Sequence, residues 1–153
     1  MQRNIKYIVL HCTDTPSHAT VEAIKKYWKE KRGWDSPGYH YIVKANGEVV
    51  QLLSEKLVSN GVKGYNHESI NIAYIGGKFK DGKEGDTRTV QQEDAMFDKI
   101  VELINRYPNA EIKGHRDFPN VAKSCPNFDA KTWLQNYVPG FLREDQNQED
   151  EED

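Results

Sequence analysis

Residues 5–12, IKYIVLHC, decide the fold. The stretch is nearly continuous in apolar and β-branched residues, as expected of a strand buried on both faces near the centre of a sheet. In an extended chain Tyr7, Val9 and His11 share one face, and Ile8, Leu10 and Cys12 the other. His11 therefore stands at the end of the strand, where chains leaving a sheet commonly line a cleft. Cys12, pointing away from His11, reads as a buried inert thiol.

Downstream, Thr20–Arg32 places Val21, Ile24 and Trp28 at helical spacing among Lys and Glu, with Thr20 as N-cap and Gly33 as stop. Tyr39–Lys44 and Glu48–Leu52 read as two strands joined through Ala45, Asn46 and Gly47, because Asn-Gly is a strong hairpin signal. Ser69–Ile75 (SINIAYI) alternates and ends at Gly76-Gly77. The polar, glycine-rich segment 78–88 has no period and reads as a mobile surface loop. Thr89 and Gln92 form a capping-box pair ahead of Met96, Phe97, Ile100, Val101 and Ile104, which mark a long helix closed by Pro108. A short strand at Glu111–Lys113 and a last helix near Asp129–Tyr137 follow. The order β-α-β-β-β-α-β-α predicts one α/β (mixed α+β) domain, a central mixed sheet of about five strands flanked by about three helices.

Length and composition agree with a single domain: 153 residues and 17.7 kDa, within the usual domain range. Hydrophobic residues make up 37% of the chain, but 3 Trp, 8 Tyr and 5 Phe supply bulk for a core. No stretch approaches the roughly 18 apolar residues of a membrane span, so no membrane insertion is expected. No secretory signal is visible, and two cysteines do not make a disulfide scaffold; the chain is expected to be cytoplasmic as synthesised. The net charge of −3 averages two unlike regions. Seven acids lie in the last ten residues, and without them 17 acidic residues face 21 basic ones. The tail 144–153 is expected to be disordered, since it has no apolar surface to bury. The remaining excess of positive charge is too small, and too unpatterned, for a nucleic-acid partner.

Five histidines and two cysteines supply the candidate metal ligands. His115 follows the last strand, and Cys125 comes ten positions later in AKSCPNFD. Loops leaving neighbouring strands can bring His11, His115 and Cys125 together, a set that suits one Zn²⁺ with an open fourth position. A water bound there has its pKa lowered from about 15.7 toward 7. Ligands so far apart match no compact zinc motif, and on spacing alone a lone histidine after a strand is more often a hydrogen-bonded structural residue and a lone cysteine more often a buried small hydrophobe.

Four longer words add to this: IVLHCTDT (8–15), GWDSPGYHYIVKANGEV (33–49), GYNHESINIAYIGG (64–77) and GHRDFPNVAKSCPNFD (114–129). Their order and spacing over residues 5–138 resemble the zinc-dependent N-acetylmuramoyl-L-alanine amidases, which include the T7-type phage lysozymes and the animal peptidoglycan recognition proteins. The resemblance implies an amidase catalytic domain over 1–143 that hydrolyses the amide between N-acetylmuramic acid and the L-alanine of peptidoglycan, acting as an endolysin on the cell wall after release. It implies His11, His115 and Cys125 as ligands of a single zinc. It also implies Tyr39 beside the reacting water, Lys123 as a catalytic cation, and Trp34 and His67 as contacts to the glycan and peptide. Some relatives carry a glutamate base on the strand matching Ser69–Ile75, whereas SINIAYI has no acid, which places this chain with the tyrosine/lysine branch. Two other readings share the resemblance: a module that binds peptidoglycan without cleaving it, and a cytosolic amidase that recycles muropeptides. The substrate is expected to be peptidoglycan or a muropeptide, and the protein a monomer. His40 and His18 read as structural and exposed respectively, and Asp117 as either a turn former or a partner that orients a ligand loop.

Overall fold

In the computed structural model, which describes residues 3–141, strand β1 (Tyr7–Cys12) runs parallel to both β4 (Ser69–Tyr74) and β5 (Glu111–Gly114). The acidic segment 144–153 and the expected boundary at 143 lie outside the described residues. On the far side of β4, β2 (Tyr41–Val43) pairs in parallel, and β3 (Val49–Gln51) pairs antiparallel with β2 as the edge. The sheet is mixed, in the order β3-β2-β4-β1-β5. β4 is buried at all six positions, and β1 at all but its first, which explains why both read as near-continuous apolar runs. The hairpin closes at Asn46-Gly47, where the Asn46 side chain accepts from the Glu48 N–H and Gly47 takes φ +91°, a conformation that L side chains adopt at a cost.

Helices lie on both faces. α2 (Val90–Arg106) and α3 (Ala130–Tyr137) cover one face, where Met96, Ile100, Leu103 and Leu134 pack on Ile8, Leu10, Ile70 and Ile72. α1 (Val21–Lys31) covers the other, setting Val21, Ile24 and Trp28 against Ile42, Ala73 and Ile75. Burying each large aliphatic side chain is worth about 1.5–3 kcal/mol, and these clusters give the body a core on each face of the sheet. The two expected N-terminal caps form: Thr20 accepts from Ala23 N, and Thr89 and Gln92 make a reciprocal capping box. Asp129 adds a third, accepting from Thr132 N. Gln92 is fully buried because its amide also donates to the Val43 and Ile75 carbonyls, tying α2 to β2 and β4.

Element ends differ from the expectations by one or two residues, as last turns and strand ends fray. Two single 3₁₀ turns, Asn66–Glu68 and His115–Asp117, carry no periodic signal and were not foreseen. The segment 78–88 is not featureless. Lys78 and Glu84 pair through a short antiparallel backbone bridge, Phe79 N donates to Lys83 O, and Arg88 closes a two-pronged ion pair on Asp86 while stacking on Phe128.

Candidate metal centre and cleft

Register brings the two histidines together. β1 and β5 pair through Leu10 and Gly114, so the next residues lie side by side: His11, still within β1, and His115, where the chain leaves β5, have ring centroids 4.9 Å apart. His115 opens a 3₁₀ turn that Asp117 stabilises by accepting from Gly114 N at 2.8 Å, which makes Asp117 a turn former. The loop carrying Cys125 is drawn back onto the same strands. Arg116 N donates to Cys125 O at 2.9 Å, and Cys12 N donates to Cys125 Sγ at 3.1 Å. One donor atom from each of His11, His115 and Cys125 lies within 4.8 Å of the others. This is close enough for one cation after small side-chain adjustments, and two imidazoles with a thiolate suit a borderline-soft ion.

The electrostatics agree with that use. Burial holds His11 down to about 3, with the neighbouring His115 adding to the shift. Burial and then the charge of Lys123 hold His115 down to about 4. Both rings are therefore neutral at neutral pH, the form that binds metals. The Cys12 thiol beside it, together with burial, pushes the Cys125 thiol well up, so ionising it in place calls for a nearby cation. Cys12 does point into the opposite core, among Ile8 and Leu10. It is nonetheless not isolated, because its thiol and its backbone N–H both meet Cys125.

The donor atoms open into a cleft of about 790 Å³. Tyr39 forms part of its wall, with its ring 5.0 Å from that of His11 and edge-on to Trp28 at 5.4 Å. Its hydroxyl donates to Cys12 O at 3.3 Å, and burial holds the phenol well above its usual range. Lys123, exposed two residues before Cys125, lines the same cleft. Trp34 lies further along it, with the Arg32 guanidinium 5.3 Å over its ring. His67 is exposed on the Asn66–Glu68 turn and is not among the described residues lining the cleft. His18 is exposed, and His40 is fully buried behind the site.

Sequence reasoning missed Asn71. Its side-chain oxygen lies 2.7 Å from His11 Nε2, and its amide reaches Ser59 Oγ at 2.7 Å. The available signal was an amide placed mid-run in SINIAYI, where an apolar residue would pack at no cost. Arg32, a second cation on the cleft, was also passed over because it falls at the end of a helix.

Three comparisons bear on these residues. Residues 1–128 match the family described as N-acetylmuramoyl-L-alanine amidase. The endolysin of Escherichia phage T7 is 34% identical over 127 residues, 82% of this chain and 83% of that protein. Among solved structures, the Ph2119 endolysin from a Thermus scotoductus bacteriophage superposes with a TM-score of 0.75 at 27% identity, covering 89% of this chain and 86% of its own. Drosophila PGRP-LB, at 19% identity and a TM-score of 0.70 over 93% of this chain and 85% of that one, shares the fold.

Proposed function

The chain belongs to the N-acetylmuramoyl-L-alanine amidase family, and from that premise we propose that His11, His115 and Cys125 hold one zinc ion at the head of the cleft. It is an amidase of endolysin-like kind, and its substrate is peptidoglycan or a muropeptide. The observation that carries the zinc assignment is the convergence of two neutral imidazoles and a thiol from three separate elements, their donor atoms within 4.8 Å. When bound, zinc supplies Lewis acidity toward the scissile carbonyl and lowers the pKa of a coordinated water.

The protein's own groups do the rest. Lys123 places a positive charge over the mouth of the site, where the carbonyl oxygen gains negative charge as the amide carbon becomes tetrahedral. Tyr39, held protonated by burial, has one O–H, which rests on Cys12 O at 3.3 Å and would turn from there to donate to that oxygen and orient the reacting groups; proton transfer is not its role. Trp34 offers an aromatic face to a sugar ring or a peptide. His67, on a turn away from the lining, is proposed to meet substrate that extends beyond the cleft. Every group named comes from one chain, and we read the active unit as a monomer. By likeness to the phage endolysins, its place of action is the bacterial cell wall, reached after synthesis in the cytoplasm, with lysis as its role.

Mass spectrometry of digested sacculi tests this reading. The expected products are stem peptides with a free L-alanine amino terminus and intact glycan strands. Glycan fragments, or peptides cut within the stem, would refute the assignment of the bond.

A further inference from the structure

We propose that Asn71, locked by Ser59 and His40, is a positioning residue that fixes the ring and tautomer of His11, leaving Nδ1 as the nitrogen offered to the cation. The proposal rests on the reading of His11 as a metal ligand.

His11, His40, Ser59 and Asn71 are each 0–1% exposed, so every polar atom there needs a partner within the protein. His40 Nε2 lies 2.8 Å from the Leu57 carbonyl. A carbonyl only accepts, so Nε2 carries the ring proton and Nδ1 is bare. The single lone pair of Nδ1 is then shared between two donors, Asn71 N at 3.1 Å and the Ser59 hydroxyl at 3.1 Å. With its one proton committed to His40, Ser59 Oγ accepts from the Asn71 amide nitrogen at 2.7 Å. That sets the amide: nitrogen toward Ser59, oxygen toward His11 Nε2 at 2.7 Å. The oxygen only accepts, so His11 Nε2 is protonated and Nδ1 keeps the free lone pair. A neutral imidazole binds a metal through its bare nitrogen, and the partner of the other nitrogen decides which one that is.

Two further features hold the lock shut. Gly61 lies directly over the amide, and a Cβ there would sit 2.3 Å from Asn71 Cγ and Oδ1, so the loop closes on Asn71 only as glycine. Arg3 anchors the far end, donating to the carbonyls of Glu55, Leu57, Asn66 and Ser69 at 2.7–2.8 Å. It thereby holds the 55–69 segment that carries Ser59 and Gly61. Arg3 also places Nη1 3.5 Å from His40 Nε2, and a positive charge there disfavours a second proton on His40.

The test uses the full chain and its Asn71→Ala, Asn71→Asp and Ser59→Ala variants. Nitrogen-15 NMR of the metal-free protein reads the histidine tautomers, and competition with a chromophoric chelator reads zinc affinity. The wild type is expected to hold His11 as the Nε2–H tautomer. Asn71→Ala should mix the tautomers and weaken zinc binding about 10- to 100-fold, with the thermal melt recorded alongside. Asn71→Asp, which keeps an acceptor at Nε2, should recover most of the affinity, a rescue that a purely space-filling role would not give. If Asn71→Ala fails to fold, Ser59→Ala decides, since freeing the amide to rotate should shift the tautomer and affinity in the same direction. Zinc bound equally tightly by the wild type and a folded Asn71→Ala, with the tautomer unchanged, overturns the proposal and leaves the zinc site standing. A wild type that binds no zinc overturns both.

Discussion

Lys123 and Tyr39 both line the cleft, one exposed and the other half-buried, and they call for different tests. Lys123 lies outside the core clusters, so its removal is expected to leave the fold alone. Lys123→Ala is expected to lower kcat by about 10²-fold, the scale of a lost charge-stabilising donor, with unchanged zinc content and circular dichroism. An unaltered kcat would remove it from the mechanism. Tyr39→Phe deletes only the hydroxyl. Its kcat should fall while the shape of the pH–rate profile between about 6 and 9 stays the same, because burial keeps the phenol protonated throughout. Loss of one limb of that profile would show that Tyr39 transfers a proton. At this scale the sequence was most readable where chemistry needs a particular residue type. His11, His115 and Cys125 were legible as candidate ligands, and the structure brings their donor atoms within 4.8 Å of one another. Asn71 and Ser59 were not, because an amide or a hydroxyl in a strand or loop is chemically ambiguous until its partners, 12 to 60 residues away, are in view.

Among the elements, α2 offers the cleanest separation of stability from activity. It packs on the face of the sheet opposite α1, away from the cleft, and its start depends on the Thr89–Gln92 box. Thr89 also donates to Ala45 O, linking the helix to the hairpin. Thr89→Ala should therefore cost about 1 kcal/mol of stability, the usual effect of losing a cap, as read by denaturant unfolding. Turnover per folded molecule should not change, and a selective loss of activity would mean that α2 is coupled to the site. Cap and stop signals made the helices legible, and Asn46-Gly47 made the hairpin so. What no local signal contained was the strand order. β4 inserts between β2 and β1, a choice made by long-range packing, and it is this insertion that lays Asn71 alongside β1 and its His11. The 3₁₀ turn at His115 was likewise invisible, since a single turn has no period to detect.

The molecule as a whole carries buried neutral histidines, which links its stability to pH. In the metal-free protein His11 is held at about 3 and His40 and His115 at about 4, against an ordinary 6.5. Between those values the unfolded chain binds more protons than the folded one, so stability rises with pH through this window. The stabilisation is full above about pH 6.5 and drains away as pH falls toward 4. The Tm of chelated protein should accordingly be lower at pH 4.5 than at pH 7, and equal values would contradict the burial described here. With a core on both faces of the sheet, the fold is expected to persist without the metal. We propose that His11, His115 and Cys125 hold a catalytic cation in an already folded body. Zinc content, circular dichroism and release of L-alanine-headed peptide, measured together on wild type, chelated wild type and Cys125→Ser, decide whether they do. One zinc per chain in the wild type is expected, with metal and hydrolysis lost together in the other two samples while the native spectrum persists. Undiminished hydrolysis by protein shown to be free of metal would contradict it.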